Sequence, residues 1–181
     1  MELMIGCGHA RDKRVWIEGR EAWNGLVTLD INPGVGADVV HDLTVLPLPF
    51  EADSFNEIHA YEVLEHTRAQ GDWRGFFAEF AEFWRILKPG GTLHATCPAW
   101  HGNWAWGDPG HTRVIQPETL SFLDQSAYTR ECRPGGSART DYRFVWQADF
   151  EIIFGQIEAE RGHSFILRAI KPSRMTAMDA A

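Results

Sequence analysis

The sequence lacks long hydrophobic runs and is poor in cysteine. No part of its 181 residues approaches the roughly 20 consecutive apolar residues that a transmembrane helix needs. The first residues contain no basic segment followed by an apolar core, so we expect no secretory signal and a cytoplasmic location. The three cysteines, Cys7, Cys97 and Cys132, are widely spaced and form no CxxC pair. This spacing argues against a disulfide framework and against a structural zinc site.

Positive charge is also scarce. The chain has 17 lysines and arginines against 25 acidic residues, which gives a formal net charge of -8. Binding to phosphate backbones is driven by Lys and Arg side chains that displace counterions. We therefore expect no duplex nucleic acid among the partners, and the lack of a long apolar run predicts no membrane. The length fits one compact domain, which we assign to residues 1–172, with residues 173–181 as a frayed tail.

Short apolar runs alternate with helical periodicities in the first hundred residues, a pattern typical of an α/β fold with a parallel sheet. The strands predicted there are residues 3–5, 26–29, 37–40, 57–61 and 92–96. A helix is predicted over residues 72–87, where apolar residues recur at three- and four-residue steps before Lys88-Pro89-Gly90-Gly91. For residues 11–24 the sequence predicts at most a short, irregular helix. Beyond them we predict a loop over 100–111, a helix over 117–123, and an antiparallel pair of strands over 142–154 and 164–170.

A glycine-containing turn and an acidic residue follow the first two predicted strands. The turn Gly6-Cys7-Gly8-His9-Ala10 lies where an open α/β sheet presents its ligand crevice. Asp30 ends the second strand, where a carboxylate can accept both hydroxyls of a ribose. The structural alternatives are a tight turn without a ligand and an aspartate that only caps the following turn. A dinucleotide site requires GxGxxG, but its sixth position is Arg11, which disfavours a nicotinamide cofactor.

Two further strand ends carry acidic residues. Asp42 follows the short third strand, where its carboxylate can accept from an exocyclic amine while the backbone N–H of Leu43 serves a ring nitrogen. A turn-initiating aspartate is the alternative at this position. The fourth strand ends in Glu62-Val63-Leu64-Glu65-His66, which brings two acids and a histidine together. No second His/Asp cluster shows metal-ligand spacing, so we predict no metal.

Four sequence blocks occur in a characteristic order: LMIGCGHA, LVTLDINP, ADVVHDLTVLPLPFEADSFNEIHAYEVLEH and LKPGGTLHATCP. Together they resemble class I S-adenosylmethionine-dependent methyltransferases, most of all the small-molecule subgroup called type 11. The resemblance implies a Rossmann-like sheet of seven strands, mostly parallel with the last strand antiparallel, flanked by helices. It also implies S-adenosylmethionine as the cofactor. The cofactor-binding residues that it implies are Gly6, Cys7, Gly8 and His9 after the first strand, Asp30 and Ile31 for the ribose, Asp42 and Leu43 for the adenine, and Glu62 and Val63 facing the cofactor.

Methyl transfer from a sulfonium is an in-line displacement that depends mainly on alignment, so few catalytic residues are needed. The candidates are His66, Asp108 and His111, each with a surface or packing role as the alternative. The loop after the fifth strand supplies the candidate acceptor pocket, whose aromatic faces would hold a ring or a cation. The residues of that pocket are Trp100, His101, Trp104 and Trp106. This loop, or a second subunit in a homodimer, would cover the cofactor.

The resulting hypothesis is a methyltransferase that acts on a small-molecule acceptor. The segment Ala60-Tyr61-Glu62-Val63 stands where amino-methylating nucleic-acid enzymes carry Asn/Asp-Pro-Pro-Tyr, so the sequence does not resemble those families. One alternative is a non-catalytic, S-adenosylmethionine-binding scaffold protein. Another is a nicotinamide oxidoreductase, although no residue pair resembles a hydride-transfer site.

Overall fold

A computed structural model of the chain describes residues 1–133, 135–136, 139–158 and 162–175. Within them the strands are β1 (Glu2–Ile5), β2 (Leu26–Asp30), β3 (Val39–Val40), β4 (Phe55–Tyr61), β5 (Leu87–Cys97), β6 (Phe150–Glu158) and β7 (Gly162–Ala169). The α-helices are α1 (Trp73–Ile86), α2 (Asn103–Gly107), α3 (Pro117–Leu120) and α4 (Gln125–Glu131). Short 3₁₀ turns occupy Pro33–Val35, Leu64–His66 and Ser121–Leu123. None of the helices in these residues has the length and apolar character needed to span a bilayer.

The seven strands form one sheet in the order β3-β2-β1-β4-β5-β7-β6. Strands β1 to β5 pair with their neighbours in parallel, whereas β7 runs antiparallel to both β5 and β6. The predicted fold class is therefore confirmed: an α/β, Rossmann-like sheet of seven strands, mostly parallel with the last strand antiparallel, flanked by helices.

Strand β1 marks the point where the strand order reverses. It pairs with β2 on one side and with β4 on the other, so the chain leaves β1 toward one edge and returns to build the opposite half of the sheet. All four β1 residues are buried, as expected for a strand covered on both faces. A reversal of this kind opens a crevice outside the carboxyl ends of the strands. The turns after β1 to β4 consequently surround one space.

Helix α1 covers one face of this sheet. The Asp72 carboxylate caps it by accepting a hydrogen bond of 2.9 Å from the Gly75 N–H. The apolar stripe buries Phe77, Phe80 and Phe83, which confirms the predicted helix. Strand β5 then begins at once, at Leu87, five residues earlier than predicted. The register between β4 and β5 shifts there, so the Pro89-Gly90-Gly91 segment forms an irregularity within the strand.

The predicted strand over residues 142–154 is wrong in its first half, because β6 begins only at Phe150. The preceding segment packs across α1 instead of pairing in the sheet. The rings of Tyr142 and Trp146 lie 5.0 and 5.3 Å from that of Phe77. Trp146 is fully buried, and its Nε1 donates to the Leu123 carbonyl over 3.2 Å. Alternating aromatic residues thus serve helix packing here and not a ladder.

Three other segments differ from the prediction. The 100–111 segment contains the short helix α2, and helix α4 over 125–131 was not predicted. Residues 11–24 form no helix. At the carboxyl end, Arg174 Nε donates to Asp149 Oδ2 over 2.7 Å. The remainder of the predicted tail, residues 176–181, lies outside the described residues.

Residues 11–24 instead bring a cation into a polar network on the sheet. Lys13 Nζ lies 2.7 Å from Glu57 Oε2, and His59 Nε2 lies 3.1 Å from the same oxygen. Burial opposes ionisation of Glu57, but the hydrogen bonds from His59 and Lys13 outweigh it and lower its pKa. His94 stacks on His59 with ring centroids 4.6 Å apart. Burial lowers the pKa of His94 to about 3, so this histidine is neutral in the folded chain near neutral pH.

Candidate functional site

The turn after β1 depends on glycine at two positions for different reasons. Gly6 has φ +56°, and a Cβ there would lie 1.8 Å from Val63 Cγ2, so the turn packs directly on the segment after β4. Gly8 has φ +50°, and its Cβ would meet no atom within 4 Å. Gly8 therefore borders open space. Its N–H donates to Asp30 Oδ2 over 2.8 Å, which ties the turn after β1 to the end of β2.

The Asp30 carboxylate is fixed by backbone donors on both oxygens. Besides the bond from Gly8, its Oδ1 accepts from the Asn32 N–H over 2.8 Å. Each carboxylate oxygen can accept a second hydrogen bond, so capacity remains for the hydroxyls of a ligand. The side chain is buried at the end of β2, where two amides hold it in one orientation.

Asp42 adopts the turn-initiating arrangement that the sequence left open. Its Oδ1 accepts from both the N–H and the hydroxyl of Thr44, each over 2.8 Å. These hydrogen bonds, that of the backbone N–H first, lower the pKa of Asp42. Its Oδ2 makes no hydrogen bond with the described part of the chain. The same carboxylate can thus hold the turn with one oxygen and accept from a ligand with the other.

A crevice of about 410 Å³ lies at these strand ends. This volume falls within the usual range of small-molecule sites, about 300–1,000 Å³. Seven of the ten predicted cofactor residues line it, together with the predicted catalytic His66. The lining residues are Gly6, Gly8, Leu29, Asp30, Ile31, His41, Asp42, Leu43, Thr44, Val63, His66 and Thr67.

The other three predicted cofactor residues do not line the crevice. Cys7 points into a small apolar cluster with Met4 and Tyr61, and its burial raises the pKa of the thiol. His9 and Glu62 are exposed, and Glu62 has φ +56°. A role for any of the three in cofactor binding stays a prediction.

Four lining residues were not predicted: Leu29, His41, Thr44 and Thr67. All four adjoin predicted residues, because Leu29 precedes Asp30, His41 and Thr44 flank the Asp42–Leu43 pair, and Thr67 follows His66. His41 follows β3 directly. Counting every residue at the carboxyl end of each parallel strand would have found Leu29 and His41.

The three predicted catalytic residues lie together at the edge of the crevice, although they are distant in sequence. The ring centroids of His66 and His111 are 4.6 Å apart. His111 Nε2 lies 4.0 Å from Asp108 Oδ2 and also 4.0 Å from Glu65 Oε1. We call Glu65, His66, Asp108 and His111 the rim cluster. Glu65 was not a predicted site residue, although it directly precedes the predicted His66.

Backbone hydrogen bonds hold the rim cluster together. The Thr112 N–H donates to the Glu65 carbonyl over 2.9 Å, which anchors the 108–112 segment beside β4. His66 Nδ1 lies 3.0 Å from the Gly110 carbonyl oxygen. A carbonyl only accepts hydrogen bonds, so we assign the ring proton to Nδ1, which leaves the lone pair on Nε2. A Cβ at Gly110 would lie 3.1 Å from that Nδ1, so the segment packs closely on His66.

The Glu65 carboxylate is buried without a nitrogen or hydroxyl donor. Only 2% of the residue is exposed, and the polar group that acts on its side-chain oxygens is the weakly donating Cys97 thiol. Burial raises the pKa of Glu65 to about 7. Cys97 lies beside it in the same narrow space, and burial raises the pKa of that thiol well above its usual value. Such a thiol is a poor nucleophile.

The predicted acceptor pocket is not enclosed in this structure. Trp100, Trp104 and Trp106 are 49%, 69% and 73% exposed, and His101 is exposed as well. Trp106 Nε1 donates to the Trp100 carbonyl over 3.0 Å, so the indoles belong to one surface patch around α2. None of the four lines the crevice. Their role as an acceptor wall stays a prediction.

A second, mainly apolar cavity of about 290 Å³ was not predicted. It begins at Ala69, two residues after Thr67 of the crevice, and lies beside the start of α1. Its walls are Ala69, Gln70, Gly71, Asp72, Trp73, Phe76, Phe77, Arg113, Val114, Ile115, Glu118, Thr119, Phe122 and Tyr142. The sequence predicts the aromatic residues of this wall only as helix and strand positions.

Residues 3–95 match the family model described as a methyltransferase domain, of type 11. A solved S-adenosylmethionine-dependent methyltransferase from Methanosarcina mazei is 18% identical, with 93% of this chain and 92% of that chain covered and a TM-score of 0.54. One from Archaeoglobus fulgidus is 15% identical, with 92% and 85% covered and a TM-score of 0.55. One from Mesorhizobium loti is 16% identical, with 92% and 90% covered and a TM-score of 0.51. No curated protein sequence shows significant similarity to the chain.

Proposed function

Because the chain belongs to the class I S-adenosylmethionine-dependent methyltransferase family, we propose that it transfers the methyl group of this cofactor to a small-molecule acceptor. S-adenosylmethionine is the cofactor of the family, as the sequence predicted. The observation that carries the proposal is the crevice itself. The glycine turn, Asp30 and Asp42 come from three strand ends and border one space of about 410 Å³.

We assign the parts of the cofactor to parts of the crevice. The ribose hydroxyls donate to the remaining lone pairs of Asp30, whose orientation is already fixed by two amides. The exocyclic amine of adenine donates to Asp42 Oδ2, and the Leu43 N–H serves a ring nitrogen. The methionine part passes over Gly6 and Gly8, where the absence of side chains leaves room.

In the transfer, a lone pair of the acceptor forms a bond to the methyl carbon. The carbon–sulfur bond breaks, and its electron pair stays on sulfur to give S-adenosylhomocysteine. Alignment of the two reactants supplies most of the rate. His66, Asp108 and His111 are proposed to orient the acceptor and to take its proton when it carries one. This role is supported by the position of His66 in the crevice lining and by the proximity of the other two.

A small acceptor is supported by charge and by size. The net charge of -8 opposes binding to duplex nucleic acid, and cavities of about 410 and 290 Å³ suit small molecules. Three cysteines without a disulfide agree with a cytoplasmic location. The exposed indoles around α2, or a second copy of the chain in a homodimer, are proposed to cover the bound reactants.

A nicotinamide cofactor is disfavoured by the segment after the glycine turn. No helix follows β1 before β2 begins, so the helix N-terminus that usually holds a pyrophosphate is missing. Arg11 occupies this region instead. Its Nη1 donates to the carbonyl oxygens of Gly8 and Ala10, each over 2.8 Å.

Calorimetric titration with S-adenosylhomocysteine, followed by a panel of small acceptors, tests the proposed function. We expect 1:1 binding, and formation of S-adenosylhomocysteine from S-adenosylmethionine in the presence of at least one acceptor. The Asp30→Ala variant serves as the control that lacks the ribose contact. Binding without turnover of any acceptor would favour the non-catalytic scaffold, whereas absence of binding to either form of the cofactor would refute the enzyme.

A further inference from the structure

Two groups of glutamate and histidine side chains in the described residues have ligand atoms within 4.8 Å of one another. One is the buried network of Glu57, His59 and His94, which already holds a cation because Lys13 Nζ lies 2.7 Å from the Glu57 carboxylate. The other consists of Glu65, His66 and His111 in the rim cluster. These two groups differ in how the glutamate charge is compensated.

The Glu65 carboxylate has no lysine or arginine nitrogen within 4.0 Å among the described residues. The Arg113 guanidinium acts on Glu65 from more than 4.0 Å away, while its Nε donates to the Leu64 carbonyl over 2.7 Å, its Nη2 binds Glu79 and its Nη1 has no hydrogen-bond partner. A buried carboxylate without a nitrogen or hydroxyl donor is unfavourable in its ionised form unless a positive charge is paired with it. The position beside Glu65 therefore suits a cation.

We propose that Glu65, His66 and His111 bind a divalent transition-metal ion at the edge of the crevice. His111 Nε2 lies 4.0 Å from Glu65 Oε1, too far for a hydrogen bond. Two ligands of a tetrahedral ion, each about 2.1 Å from it, lie about 3.4 Å apart, so this pair must close by roughly 0.6 Å to share an ion. All ligand atoms of the group lie within 4.8 Å of one another, so no pair needs to close by more than roughly 1.4 Å.

The hydrogen bond of His66 agrees with this role. Metal-bound histidines usually donate the other ring N–H to a carbonyl or a carboxylate, which fixes the tautomer. His66 Nδ1 makes such a bond to the Gly110 carbonyl, and Nε2 keeps the lone pair that binds an ion. Asp108 Oδ1 in turn accepts from the Gly110 N–H over 2.7 Å, so the supporting loop is itself held in place.

The ligand set indicates the kind of ion. Two imidazoles and one carboxylate favour Mn²⁺, Fe²⁺ or Zn²⁺ over Mg²⁺, and three protein ligands leave coordination positions open. The sequence argued against a metal because Glu65 and His66 lack a second ligand cluster nearby. The fold supplies the third ligand from 45 residues further along, since the Thr112 N–H bonds to the Glu65 carbonyl.

An ion at this position also restricts the class of acceptor, and this restriction rests on the proposed function. His66 lines the crevice, so open positions on the ion face the space where donor and acceptor would meet. In the ion-bound form the lone pairs of His66 and His111 are occupied, so an acceptor hydroxyl bound there would release its proton to water and not to these histidines, because a bound cation lowers the pKa of an oxygen ligand. The oxyanion would then form the bond to the methyl carbon. The acceptor class is therefore hydroxyl-bearing small molecules.

The test is calorimetric titration of the chelator-treated protein, free of any affinity tag, with Mn²⁺ and with Zn²⁺. We expect saturable 1:1 binding of at least one ion. The variants Glu65→Gln and His66→Gln should weaken it by about 100-fold or more, because each removes a ligand. The variant His101→Gln, which changes an exposed histidine outside the cluster, should bind as the wild type does. Circular dichroism checks that each variant is folded, and the exposed His66 provides the test if Glu65→Gln does not fold.

Absence of 1:1 binding in the wild type would overturn the inference, as would unchanged affinity in a folded Glu65→Gln or His66→Gln variant. A parallel titration with S-adenosylhomocysteine separates the two proposals. Cofactor binding without ion binding refutes the metal site and leaves the proposed function standing. Ion binding without cofactor binding refutes the proposed function and leaves the metal site standing.

Discussion

Substitution of Gly8 tests whether the cofactor lies in the crevice, because its effect on ligand binding can be separated from the effect of backbone strain on stability. In Gly8→Ala the new methyl group meets no protein atom within 4 Å, and φ +50° is unfavourable for alanine. The left-handed conformation costs roughly 1–2 kcal/mol for a residue with a Cβ. We expect the free energy of unfolding to fall by about that amount, which lowers the melting temperature by about 2–4 °C per kcal/mol in a chain of this size.

The effect on ligand binding should be larger than strain alone explains. Gly8 lines the crevice, and its Cβ would meet no protein atom, so an added methyl group would compete with the methionine part of the cofactor that is proposed to lie there. Inserting a methyl into a packed contact costs about 1–3 kcal/mol. We therefore expect the affinity for S-adenosylhomocysteine to fall roughly ten- to hundredfold, measured by isothermal titration calorimetry.

The matched control is Gly36→Ala. Gly36 has φ +68°, its Cβ would also meet nothing within 4 Å, and it does not line the crevice. Both variants should lose similar stability in differential scanning calorimetry, but only Gly8→Ala should lose affinity. Equal affinities of the two variants would show that the cofactor does not pass over Gly8.

Three further predictions concern the crevice wall, the turn packing and the buried network. Asp42→Asn should weaken S-adenosylhomocysteine binding about tenfold with little change in stability, because the amide keeps an acceptor for Thr44 but presents a donor to adenine. Gly6→Ala should destabilise the protein by about 3 kcal/mol or more in urea unfolding, because its Cβ overlaps Val63. Acidification should destabilise the protein through His94, whose folded pKa of about 3 lies below the ordinary 6.5. Below pH 6.5 His94 binds a proton in the unfolded chain but not in the folded chain. The free energy of unfolding therefore falls by about 1.4 kcal/mol per pH unit toward pH 3.

Each of these has a control. Asp42→Ala should weaken binding at least as much as Asp42→Asn, and unchanged affinity in both would remove the adenine assignment. Val63→Ala should partly rescue Gly6→Ala by removing the overlapping methyl groups, and equal instability of the single and double variants would point to φ alone. His94→Gln should reduce the slope of the free energy of unfolding against pH by up to about 1.4 kcal/mol per pH unit, the contribution of one proton. A slope identical to that of the wild type would contradict the neutral state assigned to His94.

The cofactor crevice was accessible to sequence reasoning because its parts follow parallel strands directly. Asp30 and Asp42 each end or follow a strand, and the carboxyl ends of parallel strands meet at one edge of the sheet. The directions in which individual turn residues point could not be predicted from the sequence. Gly8 borders the crevice while its neighbour Cys7 points into the core, and this difference depends on the φ angles of the turn.

The rim cluster shows that contacts between residues distant in sequence could not be predicted from the sequence. The sequence singled out His66, Asp108 and His111, but the contact between Glu65 and His111 depends on a backbone hydrogen bond across 47 positions. The segment before β6 shows a second limit. Its aromatic alternation resembles a strand, and only the position of α1 reveals that Tyr142 and Trp146 pack on a helix.

A crystal structure with S-adenosylhomocysteine bound tests the central claim most directly. The account predicts that the ribose hydroxyls lie within hydrogen-bond distance of the Asp30 carboxylate, with the adenine beside Asp42 and the sulfur facing His66. A cofactor bound elsewhere on the sheet, or one whose adenosyl group contacts neither Asp30 nor Asp42, would contradict it.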